Sequence, residues 1–159
     1  MLVREYKDGD KSSLIAFLEM QHDTMTPFDP FGRQRKDGYG ERSIENLLKE
    51  NVKTGKIFVA VEDGKIVGYA SGWIKTIEDF PNLTGAPNVN GMFDNIFVLP
   101  EYRRKGVASA LVKKLEEYFQ ENRCQLVWLN VYSGNAPALN FYNKLGYSPN
   151  ATTLIKKLR

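Results

Sequence analysis

The chain has 159 residues, the size of one domain with a substantial core, and we expect a single domain over residues 1–159. Its 42% hydrophobic and 26% charged residues are ordinary for a globular protein, and a net charge of +3 is too small to indicate nucleic-acid binding. No apolar run approaches the roughly 20 residues of a membrane-spanning helix, so no membrane partner is expected. The start lacks a signal-peptide pattern, which predicts a cytoplasmic location. The single Cys124 excludes an intrachain disulfide and a cysteine-rich metal site, and no metal is expected.

The first third of the chain predicts one short strand and two helices. Residues 2–6 alternate polar and apolar side chains as a strand does, and Asp10 is a suitable N-cap for the helix that follows. Prolines and glycines interrupt the pattern between residues 22 and 40, which predicts a loop with aromatic and basic content. A second helix over residues 41–54 ends at Gly55. The apolar face of the first helix carries Leu14, Ile15, Phe17 and Leu18.

A β-hairpin follows. Two apolar segments, residues 57–62 and 65–70, flank the pair Asp63-Gly64, which favours a tight type I′ turn because both central positions need positive φ. Residues 75–91 then read as a long loop. Its acids, Glu78 and Asp79, either face solvent or attract a cationic substrate.

The segment from residue 95 to residue 111 organises the rest of the chain. It begins as an apolar strand, turns at Pro100, and passes through a basic stretch with one glycine before an amphipathic helix. A strand that enters a helix this way directs backbone N–H groups at one point, and the positive end of the helix dipole favours an anion there. The sequence therefore predicts either a phosphate site or an ordinary solvated basic turn.

The last quarter predicts a strand over residues 126–132, a helix over residues 138–145, and a final strand over residues 152–158. Asn135 is a good N-cap for that helix and Gly146 a good residue to end it. The complete order is β-α-α-β-β-β-α-β-α-β. We therefore expect an α/β (α+β) protein with a mixed central sheet flanked by about four helices.

Two of these segments resemble motifs of a known family. The run Val98-x-Pro100-x-Tyr102-Arg103-Arg104-Lys105-Gly106-Val107-Ala108 resembles the acetyl-CoA motif of the GNAT N-acetyltransferases, Arg/Gln-x-x-Gly-x-Gly/Ala. The run Asn135-x-x-Ala138-x-x-Phe141-Tyr142-x-x-Leu145-Gly146-Tyr147 is similar to the second motif of that superfamily. The element order also agrees with the GNAT fold, so the resemblance implies an enzyme that moves an acetyl group from acetyl-CoA to an amine.

The resemblance assigns a cofactor site. It implies that backbone amides of the turn bind the pyrophosphate, and that the strand before it pairs with the pantetheine arm through Ile96, Phe97 and Val98. An N–H near Val98 would polarise the thioester carbonyl. Asn135 would bind pantetheine, act as a plain helix cap, or do both. The turn residues are Arg103, Arg104, Lys105, Gly106, Val107, Ala108 and Ser109.

The resemblance also implies two catalytic residues. Tyr142 would contact the departing sulfur as general acid, since a phenol near pKa 10 can protonate or stabilise a thiolate of pKa about 8.5. Without the family, a tyrosine on an amphipathic helix is more often a core residue. Asp94, four residues before Val98, would accept the proton of the amine directly or through water; its alternative is a hydrogen-bonded residue at a strand bulge. Tyr132 and Asn130 are further candidates on the acceptor side.

The acceptor itself is not determined by these motifs. The loops at residues 22–40 and 75–91 would form its surface, and the acids of the second loop favour a small cationic amine of the polyamine or aminoglycoside type. A peptide or protein amino group is the alternative, and a non-catalytic acyl-CoA-binding module a third. Many family members are homodimers, which makes a homodimer an expectation of the resemblance, without an identified interface.

Overall fold

The computed structural model describes residues 1–76, 89–156 and 158, without the side chains of residues 50–52. Its regular elements are β1 (Leu2–Glu5), α1 (Lys11–Met25), α2 (Tyr39–Thr54), β2 (Gly55–Glu62), β3 (Lys65–Thr76), β4 (Val89–Val98), α3 (Val107–Glu121), β5 (Leu126–Trp128) and α4 (Ala136–Lys144). The five strands form one sheet in chain order. The first four are antiparallel, and β5 is parallel to β4, so the mixed sheet expected from the sequence is confirmed.

The sheet separates two apolar layers. On one face α1 and α2 pack through residues such as Leu14, Phe17 and Ile44 against Tyr69 and Phe97. The opposite layer contains α3, with Leu111, Leu115 and Phe119, against Phe58, Ala70, Phe93 and Val98 of the sheet and Tyr142 of α4. Because side chains alternate along a strand, consecutive residues within β3, and within β4 outside its bulge, belong to different layers.

The hairpin between β2 and β3 has the predicted turn. Asp63 and Gly64 have φ values of 48° and 75°, the positive pair that a type I′ turn requires. The strands on either side are longer than the sequence pattern indicated. β3 continues to Thr76 and β4 begins at Val89, so both ends of the predicted loop at 75–91 are strands. Its remaining residues, with Glu78 and Asp79, lie outside the described part of the chain.

The predicted loop at 22–40 is shorter in the structure, because helices take residues from both of its ends. Helix α1 continues to Met25 and a 3-10 turn follows over Thr26–Phe28, with Pro27 in its first turn, where a missing N–H costs nothing. Helix α2 begins at Tyr39 rather than residue 41. The rings of His22 and Tyr39 meet edge-on, with centroids 4.6 Å apart, so a tertiary contact joins the two helix ends.

Asp10 precedes α1 as predicted, but its carboxylate does not cap that helix. One oxygen accepts a hydrogen bond from the Lys7 backbone N–H at 2.8 Å, and both oxygens bind the Arg4 guanidinium at 2.7 and 2.9 Å. These bonds lower the pKa of Asp10, the Arg4 contact most. The side chain therefore joins β1 to the turn before α1.

Three predictions for the C-terminal quarter were wrong in extent or existence. The strand predicted over residues 126–132 covers only Leu126–Trp128, and the helix predicted from residue 138 begins at Ala136. The final strand predicted over residues 152–158 is absent from the described part of that segment, where Leu154 and Leu158 are 90% and 83% exposed. An alternating pattern forms a strand only where a neighbouring strand accepts its hydrogen bonds, and none of the described strands lies beside this segment as a partner. None of the described helices is long and apolar enough to span a membrane.

Candidate active site

Strands β4 and β5 separate part-way along β4, which leaves an opening between them. Strand β5 pairs with β4 only at Asn90, Gly91 and Met92, whereas β4 continues to Val98. Within the described part of the chain, the edge of β4 that faces away from β3 therefore has no strand neighbour beyond Met92. The side chains of Phe97 and Val98 are buried, so this stretch offers a ligand mainly its backbone N–H and C=O groups.

The open edge leads directly to the basic turn. A 3-10 turn over Pro100–Tyr102 is followed by Arg104 and Gly106, both left-handed with φ values of 61° and 82°, and α3 begins at Val107. No side chain caps α3, so the first N–H groups of Val107, Ala108 and Ser109 remain available. Left-handed residues before an uncapped helix form a concave group of N–H donors, which suits a phosphate.

Arg103 has a role in this turn that sequence analysis did not foresee. Its Nε donates to the Val98 carbonyl at 2.9 Å, and its guanidinium lies 5.7 Å from the centre of the Phe97 ring. The side chain thus fastens the turn to the end of β4. Arg104 and Lys105 are exposed. The predicted contacts of these residues with a cofactor stay predictions.

Asn135 is confirmed as the cap of α4. Its Oδ1 accepts from the Ala138 backbone N–H at 3.2 Å, and its Nδ2 lies 3.8 Å from the sulfur of Met25. The residue is 8% exposed. The second predicted role, a hydrogen bond to pantetheine, stays a prediction.

Tyr142 is buried in an aromatic cluster on the α3 side of the sheet. Its ring meets Phe93, Phe141 and Tyr147 edge-on, with centroids 6.1, 5.1 and 5.5 Å away. Burial raises the pKa of Tyr142 to about 12, so the phenol remains protonated at any working pH. Tyr142 also lines a groove between β5 and α4. Asn130, a predicted candidate for the acceptor side, lies in this same groove.

Asp94 occupies a β-bulge, as predicted by the alternative in which it is a hydrogen-bonded residue at a bulge of the strand. Ser71 of β3 pairs with Asn95 and Gly72 pairs with Phe93, so Asp94 is the extra residue. Its Oδ2 accepts from Asn95 Nδ2 at 2.5 Å and from Ser71 Oγ at 3.4 Å. A bulge redirects side chains, and bulges are frequent beside active sites. The bulge brings the Asp94 carboxylate towards the α1 layer, whereas Phe93 faces Tyr142.

A cavity of about 360 Å³ opens on this α1 side. Four separate segments supply its walls: the second half of α1, the connection to α2 together with the first residue of α2, strand β4, and the chain after β5. The lining residues are Leu18, Gln21, His22, Met25, Thr26, Asp29, Arg33, Tyr39, Asn95 and Tyr132. Tyr132 was predicted for the acceptor side. Gln21, His22 and Tyr39 were not assigned a role, because no local pattern marks residues that meet only after folding.

Two arginines pair with three carboxylates near this cavity, so one negative charge among these groups stays uncompensated. Arg33 binds both oxygens of Asp29, with Nε–Oδ2 at 2.7 Å and Nη2–Oδ1 at 3.3 Å. These contacts and the Phe31 backbone N–H lower the pKa of Asp29 to about 2. Arg35 pairs with Asp23 at 2.7 Å and with Glu19 at 3.4 Å. Among the described residues, no group of three or more His, Cys, Asp or Glu side chains is arranged to hold a metal ion.

Comparison with known proteins identifies the family. The model of the acetyltransferase (GNAT) family matches residues 16–147. The chain belongs to this family.

Individual relatives agree with that assignment. An N-alpha-acetyltransferase of Sulfurisphaera tokodaii is 38% identical over 93 residues, which cover 57% of this chain and 54% of the relative. The chain thus spans little more than half the length of this curated relative. A mutant protein from Bacillus halodurans has a TM-score of 0.87 at 17% identity, with all of both chains covered. The aminoglycoside N-acetyltransferase AAC(6')-Iy in complex with CoA has a TM-score of 0.71 at 18% identity over 99% of both chains, which shows a shared fold.

Proposed function

We propose that the protein transfers the acetyl group of acetyl-CoA to a primary amine. The observation that carries this proposal is the open edge of β4, which ends at the uncapped N-terminus of α3 beside left-handed Arg104 and Gly106. A strand edge suits the amides of pantetheine, and the turn suits its pyrophosphate. Asn135, at the start of α4, would contact the same arm.

The two candidate catalytic residues lie on different sides of β4. Asp94 points to the α1 layer, where the cavity would hold the amine, and Tyr142 lies in the α3 layer beside Phe93. An amine entering on one side and a thiolate leaving on the other is the arrangement that direct attack on a thioester needs. The residues Ile96, Phe97 and Val98 would hold the thioester between them.

The proposed reaction begins with an ammonium group that gives one proton to Asp94. The neutral nitrogen attacks the thioester carbon, a C–N bond forms, the C–S bond breaks, and the nitrogen loses a second proton. The departing thiolate takes up a proton, so the products are an N-acetyl amide, the thiol of coenzyme A and one proton in solvent. With its pKa near 12, Tyr142 is a weaker acid than a thiol near 8.5, so a hydrogen bond to the sulfur is favoured over complete proton transfer.

The charges of the described residues favour an acceptor with one ammonium group. A polyamine needs several uncompensated carboxylates. Here Asp29, Asp23 and Glu19 share two arginines, which leaves one net negative charge for one ammonium group. A peptide amino terminus has one charge and amide groups that Tyr39 and Tyr132 can bind. The N-alpha-acetyltransferase name of the Sulfurisphaera relative supports this class. The sequence-based preference for polyamines or aminoglycosides rests on Glu78 and Asp79 and is supported by the name of the AAC(6')-Iy neighbour.

The test is thiol release from acetyl-CoA in the presence of spermidine, an aminoglycoside, free amino acids and peptides with free amino termini. We expect release that depends on peptide acceptors. Release only with spermidine or the aminoglycoside would overturn the acceptor assignment and keep the reaction. Thermal stabilisation by coenzyme A without release for any acceptor would favour a non-catalytic acyl-CoA-binding module. Neither stabilisation nor release would overturn the proposed function.

A further inference from the structure

We infer that Gln21 is a positioning residue, which fixes the orientation of Asn95 and, through Asn95, of the Asp94 carboxylate. The inference rests on the proposed function in that it makes Asp94 the proton acceptor. Gln21 lies on α1, 74 residues from Asn95 in the sequence, and the two side chains meet in the cavity described above.

Hydrogen bonds connect four side chains in one direction. The Tyr69 hydroxyl donates to Gln21 Oε1 at 2.6 Å, and Gln21 Nε2 donates to Asn95 Oδ1 at 3.1 Å. Asn95 Nδ2 then donates to Asp94 Oδ2 at 2.5 Å. Tyr69 is fully buried, and burial keeps its pKa well above 10, so its hydroxyl retains the proton that it donates.

These four side chains form a hydrogen-bonded relay, and the carboxylate of Asp94 at its end fixes the direction in which the bonds are donated. An ionised carboxylate only accepts hydrogen bonds, so the amide of Asn95 must turn its nitrogen to Asp94 and its oxygen to Gln21. Gln21 must then present its nitrogen to Asn95 and its oxygen to the Tyr69 hydroxyl. If either amide rotated by 180°, two acceptors or two donors would face each other. The buried hydroxyl therefore stabilises the one arrangement in which a donor is directed at the carboxylate.

The bulge in β4 makes the relay possible. In a regular strand, residues 94 and 95 would point to opposite faces, and their side chains could not meet. Because Asp94 is the extra residue, both side chains reach the α1 face, where Ser71 also contacts Asp94. Gln21 and Asn95 line the cavity proposed for the amine, and Asn95 donates to Asp94, the adjacent residue of β4 that would accept the proton.

The test replaces Gln21 with a residue of similar length that cannot hydrogen-bond. We expect Gln21→Met to lower kcat with the amine about tenfold, and to leave KM for acetyl-CoA unchanged. The acidic limb of the kcat–pH profile should move to higher pH, because Asn95 is no longer held by Gln21 and donates less consistently to the Asp94 carboxylate, which is then protonated more readily. Gln120→Met, on the exposed face of α3, is the matched control and should change neither quantity.

A second variant distinguishes positioning from packing. Tyr69→Phe removes only the hydroxyl that orients Gln21, so it should shift the pH profile in the same direction. In the Gln21→Met background it should add little, since both changes interrupt one relay. Full additivity, or a wild-type pH profile in Gln21→Met, would overturn the inference.

The titration of Asp94 can be measured without any enzymatic turnover, so it tests this inference independently of the proposed function. In a carbon-13 NMR titration of the folded protein, the carboxyl of Asp94 should titrate at higher pH in Gln21→Met than in the wild type. If no acceptor supports turnover, the proposed function fails while this titration still decides the relay. An unchanged titration midpoint would overturn the relay even in an active enzyme.

Discussion

The basic turn at residues 98–109 and the cavity beside α1 are built in different ways. The turn consists of consecutive residues, and its geometry depends on backbone conformation at Arg104 and Gly106 and on an uncapped helix end. The cavity combines side chains from four segments, and its charges are paired with one another. A ligand recognised by the backbone of one continuous segment leaves a motif in the sequence. A ligand recognised by side chains from distant segments does not.

The largest effect is expected in the turn. Gly106→Glu should abolish coenzyme A binding, because it puts a negative charge beside the proposed pyrophosphate site and a side chain at a left-handed position. Isothermal titration with coenzyme A measures this. Gly64→Glu, at the left-handed glycine of the β2–β3 turn, brings the same charge and similar backbone strain and should retain binding. Normal affinity in Gly106→Glu would contradict the site.

Tyr142→Phe should lower kcat about 100-fold and leave coenzyme A affinity nearly unchanged, since only the hydrogen bond to the leaving sulfur is lost. Steady-state kinetics and a binding titration measure the two quantities. Tyr147→Phe is the matched control in the same aromatic cluster, because its hydroxyl already binds Glu116 at 2.7 Å. The raised pKa of Tyr142 also predicts no loss of its acid form up to about pH 11. A kcat of Tyr142→Phe equal to that of the wild type would exclude Tyr142 as the group that contacts the leaving sulfur.

A smaller effect is expected from the charges of the cavity. Arg33→Ala leaves the Asp29 carboxylate without its guanidinium partner, so the cavity becomes more negative. KM for spermidine should fall about three- to tenfold, and KM for a peptide acceptor should fall less, because the freed carboxylate attracts several ammonium groups in spermidine and one in the peptide. Lys113→Ala, on the opposite side of the sheet, removes one positive charge as well and should change neither value. Unchanged KM values in Arg33→Ala would place the acceptor elsewhere.

The smallest effect concerns the stability of the connection between α1 and α2. The folded-state pKa of Asp29 is about 2, below the ordinary value of 3.8, so its ionised form stabilises the fold above about pH 4. This contribution is lost as the pH falls from about 4 towards 2. Asp29→Asn should therefore lower Tm slightly at pH 7, and the difference from the wild type should narrow by pH 3. A difference independent of pH, in thermal melts at both values, would exclude this ion pair as its source.

Local patterns determined most of the fold in advance. The Asp63-Gly64 turn, the helix cap at Asn135 and the order of the first nine elements were all predicted, because each depends on residues close together in the sequence. The wrong predictions concern segments whose state depends on a distant partner. Residues 129–132 and the described part of 152–158 have strand-like sequences, yet they are not strands, since none of the strands in the described ranges pairs with them.

The candidate site divides in the same way. Its cofactor half and Tyr142 followed from two motifs, and their places beside the opening of β4 are compatible with those predictions. For its acceptor half, the sequence predicted only that the loops at residues 22–40 and 75–91 form the surface. Most of the second loop lies outside the described residues. Gln21, His22 and Tyr39 had no visible partner in the sequence. Their relevance appears only when α1, α2 and β4 are packed together.

The sequence by itself predicted the chain's family, its helices, and the basic turn that precedes α3. These features need only the preferences of nearby residues, which a linear pattern contains. The tertiary structure alone decided that Asp94 lies at a bulge, that β4 and β5 separate after three paired residues, and that Gln21 reaches Asn95. Strand register and side-chain contacts across the fold depend on how distant segments pack, and a linear pattern does not specify that packing.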